Sequence, residues 1–358
     1  MTKHVTNHGL PLVLSFVLGC GSGTPPGPLP IDSSGTRADA SPNSGRVDGS
    51  PSARTLSQCT GRPFTKRSPG GWKNLGSRIV AQGEPAHAGE DFLGPLGTPP
   101  VIRGRFLYGT LQMALKDEPV RVFLDDCGGW KNVGEVNTDG DGRIEVVVDR
   151  GLPLGVYEVR MEVVGDASSA PAYLWVLPKG THLAVFDIDG TLTTDDGELI
   201  QQVLADVFSG SYVPKAYPGA VALTDAHRGI GHVELYMTGR PYWLTSKTRE
   251  WLSEHEFAMG PLRLAGSNAE AFPSESGVGK YKLEYLKSLL EAGFVLDLAY
   301  GNATTDIYAY REAGISPELT WIIGKNAGED GTNAVKDSWE PRVSEVNALP
   351  SVNQPFDW

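Results

Sequence analysis

Nowhere in these 358 residues do lysine and arginine gather into a basic cluster, and the formal net charge is −12. Nucleic-acid backbones are met by stripes of Lys and Arg, so nucleic acid is excluded as the main partner. Long apolar runs are also missing: the stretch 10–18 is apolar but too short to span a bilayer. The seven histidines show no metal-ligand spacing, which leaves surface or satisfied core positions as their default. The acidic stretch Asn137-Thr138-Asp139-Gly140-Asp141-Gly142 lacks the glutamate that an EF-hand needs at its twelfth position, where Val148 stands. A hairpin turn is expected there instead. Cysteine is scarce, at Cys20, Cys59 and Cys127 only. What remains is ordinary globular composition, 40% hydrophobic and 21% charged, in a chain long enough for two domains.

The amino terminus has the form of an export signal, with Lys3 and the terminal amine ahead of the apolar stretch. It closes on Val17-Leu18-Gly19-Cys20, which resembles a bacterial lipobox, where the cysteine becomes the lipidated first residue. The resemblance implies an extracytoplasmic protein of the bacterial cell envelope, held at a membrane by a lipid anchor on Cys20. A plain signal peptide with an incidental cysteine is the alternative. Without Cys20, Cys59 and Cys127 make an even pair in an oxidising compartment. A disulfide between them is expected, two free thiols being the alternative.

Composition then divides the chain. Residues 21–58 are rich in Gly, Ser and Pro and offer too little apolar surface to offset their ordering entropy, so a flexible tether is expected. Residues 60–95 are ambiguous, with Trp72, Ile79 and Val80 hinting at a short packed segment. Short apolar or alternating runs follow at 101–108, 120–124, 144–148, 156–164 and 172–177. Their turn-separated spacing predicts a small all-β, immunoglobulin-like sandwich of antiparallel strands. From residue 181 strands and helices alternate. Strands are expected at 182–188, 232–237, 262–265, 294–300 and 319–323, and helices near 198–208, 218–229, 241–255, 280–291 and 304–313. That pattern predicts an α/β fold with a doubly wound parallel sheet covered on both faces. The expected boundaries are 1–20 for the signal, 21–58 for the tether, 59–178 leading into the sandwich, 179–348 for the α/β domain and 349–358 for a tail.

The first strand of the α/β part ends in Asp187-Ile188-Asp189-Gly190-Thr191. Side chains at i and i+2 of a strand share a face, so two carboxylates are delivered to one place just past a strand. A bare pair of this kind is a weak signal. Its company strengthens it: Thr238-Gly239-Arg240 after a second apolar run, a lysine at a helix start, and Gly301-Asn302-Ala303-Thr304-Thr305-Asp306 after a later one. Asp187, Thr238 and Asp306 lie at or just past the carboxyl ends of their strands, the edge where open α/β sheets bind ligands. Two lysines compete for the helix start. Lys282 shares a helical stripe with Leu286, Leu289 and Leu290, whereas Lys280 aligns with Glu284, Lys287 and Glu291 on the solvent face. A charge on an apolar stripe needs a partner, which favours Lys282.

Together these motifs resemble those of the haloacid-dehalogenase-type phosphatases. Within that superfamily the runs 187–196, 236–240, 260–264 and 301–310 resemble the carboxyl-terminal domain of the lipins, which are Mg²⁺-dependent phosphatidate phosphatases. They also resemble the related region of retinal-degeneration-B-type phosphatidylinositol-transfer proteins. The resemblance covers roughly residues 180–348. It implies a haloacid-dehalogenase-like fold with Asp187 as nucleophile and Asp189 as general acid and base, kept protonated at the start by its acidic neighbour. Lys282 would complete the catalytic set, and Thr238 would hold the phosphoryl oxygens. It further implies Mg²⁺ on Asp187, Asp306 and the Asp189 carbonyl, with Asn302 in the metal motif, and substrate contacts from Gly190, Thr191, Gly239 and Arg240. Many members of the superfamily carry Asp where Asn302 stands; lipin-like sequences share the Asn.

The spacing between motifs has room for core helices but for no large cap, so the crevice is expected to be open. Tyr242 and Trp243 are read as helix-packing aromatics in preference to acyl-chain contacts. The expected partner is a phosphate ester on a phospholipid. Two rivals remain: a phosphatidate-sensing module without turnover, and a soluble phosphomonoesterase.

Overall fold

The computed structural model describes residues 55–149, 151–194, 214–267, 270–272 and 274–357. Cys20, most of the expected tether and the helix expected near 198–208 lie outside these residues.

The amino-terminal part is built from strands β1 (Ser57–Cys59), β2 (Ala88–Glu90), β3 (Phe92–Pro95), β4 (Val101–Arg105), β5 (Leu107–Tyr108), β6 (Met113–Ala114), β7 (Pro119–Asp125), β8 (Trp130–Asn137), β9 (Arg143–Val147), β10 (Gly155–Val163) and β11 (Ser169–Leu177), with one short helix, α1 (Leu75–Val80). One sheet runs β3-β11-β10-β7-β8 with β1 beside β10, and faces a second sheet, β2-β4-β9. Between them lie Ile102, Val122, Ile144, Val159, Met161 and Leu174. The alternation that made these strands legible is the alternation that fills this core.

Two expectations are corrected. The sandwich is not purely antiparallel, because β1 joins β10 and β3 joins β11 in parallel. The acidic turn after β8 is not a hairpin: β8 pairs with β7 and β9 with β4, so the chain crosses between sheets there. Asp139 shapes that crossing by accepting the Asp141 and Arg143 N–H groups, both at 2.8 Å. Cys59 and Cys127 are joined by a disulfide across 68 residues of sequence, a loop whose closure is worth about 4 kcal/mol by chain entropy.

The second part adds β12 (His182–Asp187), β13 (Val233–Pro241), β14 (Leu262–Ala265), β15 (Val295–Gly301), β16 (Thr320–Ile323) and β17 (Asn333–Val335), in a wholly parallel sheet of order β14-β13-β12-β15-β16-β17. Helices α2 (Ala220–Gly229), α3 (Thr245–Glu254), α4 (Lys280–Ala292), α5 (Thr304–Glu312) and α6 (Glu340–Asn347) accompany it. Leu183 and Val185 of β12 face one core with Leu286 and Leu289 of α4; Ala184 and Phe186 face the other with Leu223 of α2. β17 and α6 were not anticipated. The expected tail is strapped down: the Gln354 side chain brackets the His182 backbone at 3.0 and 2.9 Å, and Phe356 is buried.

The two parts share a core. Leu93, Val156, Trp175 and Leu177 of the sandwich join the α4 face of the parallel sheet in one apolar cluster. Asp91, buried at the seam, accepts from the Tyr173 and Leu262 N–H groups at 2.9 and 3.0 Å and from Arg249 at 2.8 Å. Arg263 pairs with Glu90 beside it.

Three of the histidines without ligand spacing meet through space. His182 and His232 share the Asp297 carboxylate at 2.7 and 2.9 Å, and His232 touches His227, which in turn contacts the Tyr300 hydroxyl at 2.6 Å. Burial pushes His227 down to about 2, helped by His232 and Arg342, and burial pushes His87 down to about 4 against the pull of Asp166. Both are neutral in the fold, while the unfolded chain protonates them below their ordinary 6.5. Their contribution is therefore present above about pH 6.5 and lost as pH falls, by about 1.4 kcal/mol per pH unit per histidine. Asp187 and Glu234, both pushed up to about 7 by burial, act in the opposite sense over this range, so the test is a difference. Between pH 7 and pH 5 the denaturation midpoint of His227→Gln should lose less, or gain more, than that of the parent. An unchanged slope in the variant would refute the assignment.

Candidate functional site

Register brings the motif ends level. Asp187 lies opposite Met237 on β13, and Phe186 opposite Tyr300 on β15, so residues 187–189, 238–240 and 301–306 emerge at one edge of the sheet. Asp187, as the residue after Val185 on its face, points to the side covered by α4. There the Lys282 ammonium meets Asp187 Oδ1 at 2.5 Å and Asp306 Oδ1 at 2.6 Å. Lys282 is 1% exposed, on a stripe with buried Leu286 and Leu289; Leu290, expected on the same stripe, is 39% exposed and lies off it. Lys280 is at the surface, 3.6 Å from Glu284. A tight turn, Glu275–Gly279, leads into α4, and the Ser274 hydroxyl caps it by accepting the Gly277 N–H at 3.0 Å.

The other groups complete the centre. The Thr191 hydroxyl donates to Asp187 Oδ2 at 2.8 Å. Asp306 divides its oxygens: one meets Lys282, the other accepts the Asn302 and Ala303 N–H groups at 3.1 Å each, capping α5. Gly190 is required twice over. Its φ is +74°, and a Cβ there would stand 1.9 Å from Asn302 Nδ2, so Asn302 lies across the turn that carries Asp189. Gly239 faces Val278, which a Cβ would meet at 2.8 Å.

Asp189 is arranged differently from the expectation. The charge in contact with it is a guanidinium and not a carboxylate: Arg240 Nη2 reaches Oδ1 at 2.7 Å, and Nε lies 3.0 and 3.1 Å from the two oxygens. The Thr238 hydroxyl donates to Oδ2 at 2.6 Å and accepts the Arg240 N–H at 3.0 Å. Arg240, expected on substrate, is thus turned inward onto Asp189 and the Thr248 hydroxyl, the latter at 3.1 Å. Thr238, expected on phosphoryl oxygens, is likewise engaged with Asp189.

Three carboxylates and two cations give the centre a formal charge of −1. Burial pushes Asp187 up, to about 7, with Asp306 adding to the push and Lys282 opposing it. For Lys282 burial works against the charge, but Asp187 and Asp306 outweigh it and raise the pKa above the usual lysine range. The ammonium stays charged, and the two carboxylates share it.

Among the described residues no three or more His, Cys, Asp or Glu side chains are grouped to hold a metal ion. Mg²⁺ does not require such a cage: it keeps several waters and takes one or two carboxylates. Asp187 and Asp306 already converge on one cation, and that oxygen set fits Mg²⁺; the Asp189 side chain is committed elsewhere. Sequence reasoning missed three supports of the site: Trp339, whose indole N–H holds the Thr191 carbonyl at 2.8 Å; Asn326, which holds the Asn302 carbonyl at 2.7 Å; and Thr248. No local pattern marks them.

Tyr242 stacks under Arg105 of the sandwich, 4.4 Å from guanidinium carbon to ring centre, and Trp243 lies against the helix-packing core. No inserted domain stands between Thr238 and Lys282 among the described residues, which there hold only a 3₁₀ turn, α3, β14 and the turn before α4.

Two family models match the chain: "PITM 1-3, beta-sandwich domain" over residues 85–176 and "PITM 1-3, LNS2 domain", a lipin-like domain, over residues 184–324. Their order agrees with the sandwich followed by the parallel sheet. The chain is 33% identical over 250 residues to membrane-associated phosphatidylinositol transfer protein 3 of Mus musculus, a span of 67% of this chain and 24% of that protein. It is 31% identical over 246 residues to membrane-associated phosphatidylinositol transfer protein 1 of Homo sapiens, covering 67% and 18%. It is 30% identical over 272 residues to protein retinal degeneration B of Drosophila melanogaster, covering 74% and 20%. The aligned span is thus no more than 24% of the length of any of these three relatives.

Proposed function

We propose that the chain is a Mg²⁺-dependent phosphatase of the haloacid-dehalogenase type, acting on a phosphate monoester of a phosphatidate-like lipid and tethered to the envelope through Cys20. The observation that carries this reading is the Lys282 ammonium bridging Asp187 and Asp306 at 2.5 and 2.6 Å, beside an Asp189 held by Thr238 and Arg240. Binding a phosphate alone requires no buried carboxylate pointing at it. A nucleophile does, because phosphate monoester hydrolysis is among the slowest uncatalysed reactions and an aspartyl-phosphate divides it into two easier steps.

Asp187 attacks phosphorus, and the ester oxygen leaves with a proton from Asp189. Water then attacks the acyl phosphate, giving its proton to Asp189, and Asp187 is regenerated. A carboxylate paired with a guanidinium must be released before it can carry that proton. The arriving phosphoryl group supplies the means, since it binds the same bidentate fork. Arg240 passes from Asp189 to the phosphate, and Asp189, freed as substrate seats, takes up from solvent the proton it then gives to the ester oxygen. Lys282 holds Asp187 in line and stabilises the charge that develops on the phosphoryl oxygens. Asp187, Asp306 and the Asp189 carbonyl would hold Mg²⁺, which when bound would supply the positive charge that lets an anionic ester approach anionic carboxylates.

A second reading, phosphatidate binding without turnover, draws support from that same Arg240–Asp189 pairing and from the relatives of Mus musculus and Homo sapiens, which are named as transfer proteins. Phosphate release from phosphatidate, lysophosphatidate and soluble esters, with and without Mg²⁺, separates the readings. Release that needs Mg²⁺ and favours the lipids supports the phosphatase. Preference for soluble esters moves the substrate class, and no release from any ester, with selective vesicle binding, leaves the sensor.

A further inference from the structure

The segment that carries Arg240 is not held by its own sheet. β13 pairs with β14 through Thr238 opposite Leu264, and the next pair is Pro241 opposite Ala265. Three steps along β13 thus answer one step along β14, and Gly239 and Arg240 bulge out of the ladder. A bulge re-aims a side chain and leaves its extra residues without ladder bonds. Such residues must be placed by what flanks them. On one flank the Arg240 N–H donates to the Thr238 hydroxyl at 3.0 Å, and Gly239 lies against Val278 of the turn before α4. On the other flank the strand ends at Pro241, and Tyr242 follows.

Tyr242 is where the sandwich takes hold. Its carbonyl accepts the Thr245 hydroxyl at 2.5 Å, closing the 3₁₀ turn that leads into α3, and α3 brings Thr248 to the Arg240 guanidinium at 3.1 Å. Its half-buried ring lies under Arg105 of β4, 4.4 Å from guanidinium carbon to ring centre. Burial raises the Tyr242 phenol, and Arg105 and Arg143 pull it back, so two cations of the sandwich face it. Arg105 is in turn placed by the acidic crossing between β8 and β9. Its Nε donates to the Asp141 carbonyl at 3.0 Å, and Asp139 fixes that loop through the Asp141 and Arg143 N–H groups. Register sets Arg105 directly opposite Arg143. Like charges so placed cost stability, and the ring face under Arg105 offsets that cost. A continuous series of contacts therefore runs from the 137–142 turn through Arg105 and Tyr242 to the bulge at Arg240.

We propose that Arg105 of the β-sandwich is a positioning residue for Arg240: by clamping Tyr242 it fixes the free end of the bulge, so that the guanidinium stays within reach of both Asp189 and an arriving phosphoryl group. The sandwich is on this account a working part of the site and not an appended module. The inference rests on the phosphatase reading for the reaction it serves, although a phosphate-binding site without turnover would use the same clamp. Its effect falls on binding. A loosened bulge must be ordered as phosphate arrives, which weakens affinity; once the bidentate fork has closed on the phosphoryl oxygens, Arg240 is held by the substrate itself.

The test combines hydrolysis of a soluble aryl phosphate in Mg²⁺ with calorimetric titration of inorganic phosphate, both on the full chain. Arg105→Leu keeps apolar bulk over the ring but removes the cation. It should raise KM and weaken phosphate binding by about tenfold, with kcat within a few-fold of the parent. Tyr242→Leu should match it, and Tyr242→Phe, which keeps the ring face, should stay near the parent. In an Arg240→Gln background Arg105→Leu should add nothing further, because residues that act through one another are non-additive. A merely structural arginine would instead lower the denaturation midpoint and act alike in both backgrounds. If Arg105→Leu does not fold, the two Tyr242 variants decide in its place. The proposal is overturned by KM and phosphate affinity unchanged in Arg105→Leu, by a loss confined to kcat, or by equal effects with and without Arg240. If the parent hydrolyses no ester, the phosphatase reading fails, and the phosphate titration still decides the clamp; a parent that binds no phosphate overturns the clamp as well.

Discussion

Asp187→Asn should take phosphate release to background while leaving the protein folded. The substitution keeps the size of the side chain and an oxygen for the Thr191 hydroxyl, 2.8 Å away, but removes the nucleophile. Where catalytic groups act as a unit, that loss is on the order of a million-fold. Stability should move the other way. Burial and the Asp306 carboxylate push Asp187 up to about 7, so the folded state holds this proton more tightly than the unfolded one. Its contribution is full below the unfolded carboxylate range and lost as pH rises through 7. At pH 8 the ionised carboxylate is a burden on the fold, and Lys282 keeps Asp306 as a partner without it. Asn at 187 should therefore leave the denaturation midpoint at pH 8 unchanged or raised. A clear fall in midpoint would mean that the Lys282 pairing outweighs burial.

Lys282→Ala should damage both turnover and stability, and Lys280→Ala neither. Without Lys282, Asp187 and Asp306 face each other in a buried site with no cation, and removing one partner of a buried pair costs about 3–5 kcal/mol. Loss of a pre-positioned charge at the reacting group takes about 10²–10³ from kcat. Lys280 sits in an exposed pair with Glu284 at 3.6 Å, where such contacts are worth about 0–1 kcal/mol, and turnover should stay within a few-fold. Added Mg²⁺ should recover more stability in Lys282→Ala than in the parent, because the two carboxylates then have no other cation between them. Equal loss of kcat in the two variants would contradict the bridging role.

These groups differ in how far the sequence disclosed them. Asp187 was legible because strand alternation fixes its face: Leu183 and Val185 enter one core, Ala184 and Phe186 the other, and the next residue follows the rule. Lys282 was legible because a charge on the Leu286–Leu289 stripe needs an internal partner. The same periodicity overreached at Leu290, which the turn of α4 carries outward. Arg240 was flagged, but its contact with Asp189 was not, since nothing local indicates a partner 51 residues away. The acidic turn at 137–142 announced a reversal but not which strands it joins, because pairing is decided by the sheets and not by the turn. Asp297 gathers His182 and His232, and through His232 reaches His227, by tertiary contact alone, so histidine spacing was silent. β17 and α6 were missed because short elements at the end of a chain carry little periodic signal, although Trp339 beside them supports the Asp187 turn.

The most direct measurement is the phosphorylation state of Asp187 during turnover. Asp189→Asn, which keeps the backbone carbonyl but loses the proton-transfer group, should be mixed with Mg²⁺ and phosphatidate vesicles, quenched in acid and digested. Its peptide containing Asp187 should carry one phosphoryl group, absent from Asp187→Asn treated alike. An unmodified Asp187 peptide in Asp189→Asn, with the parent chain binding phosphatidate but releasing no phosphate, would contradict the nucleophile assignment and leave a lipid-sensing domain.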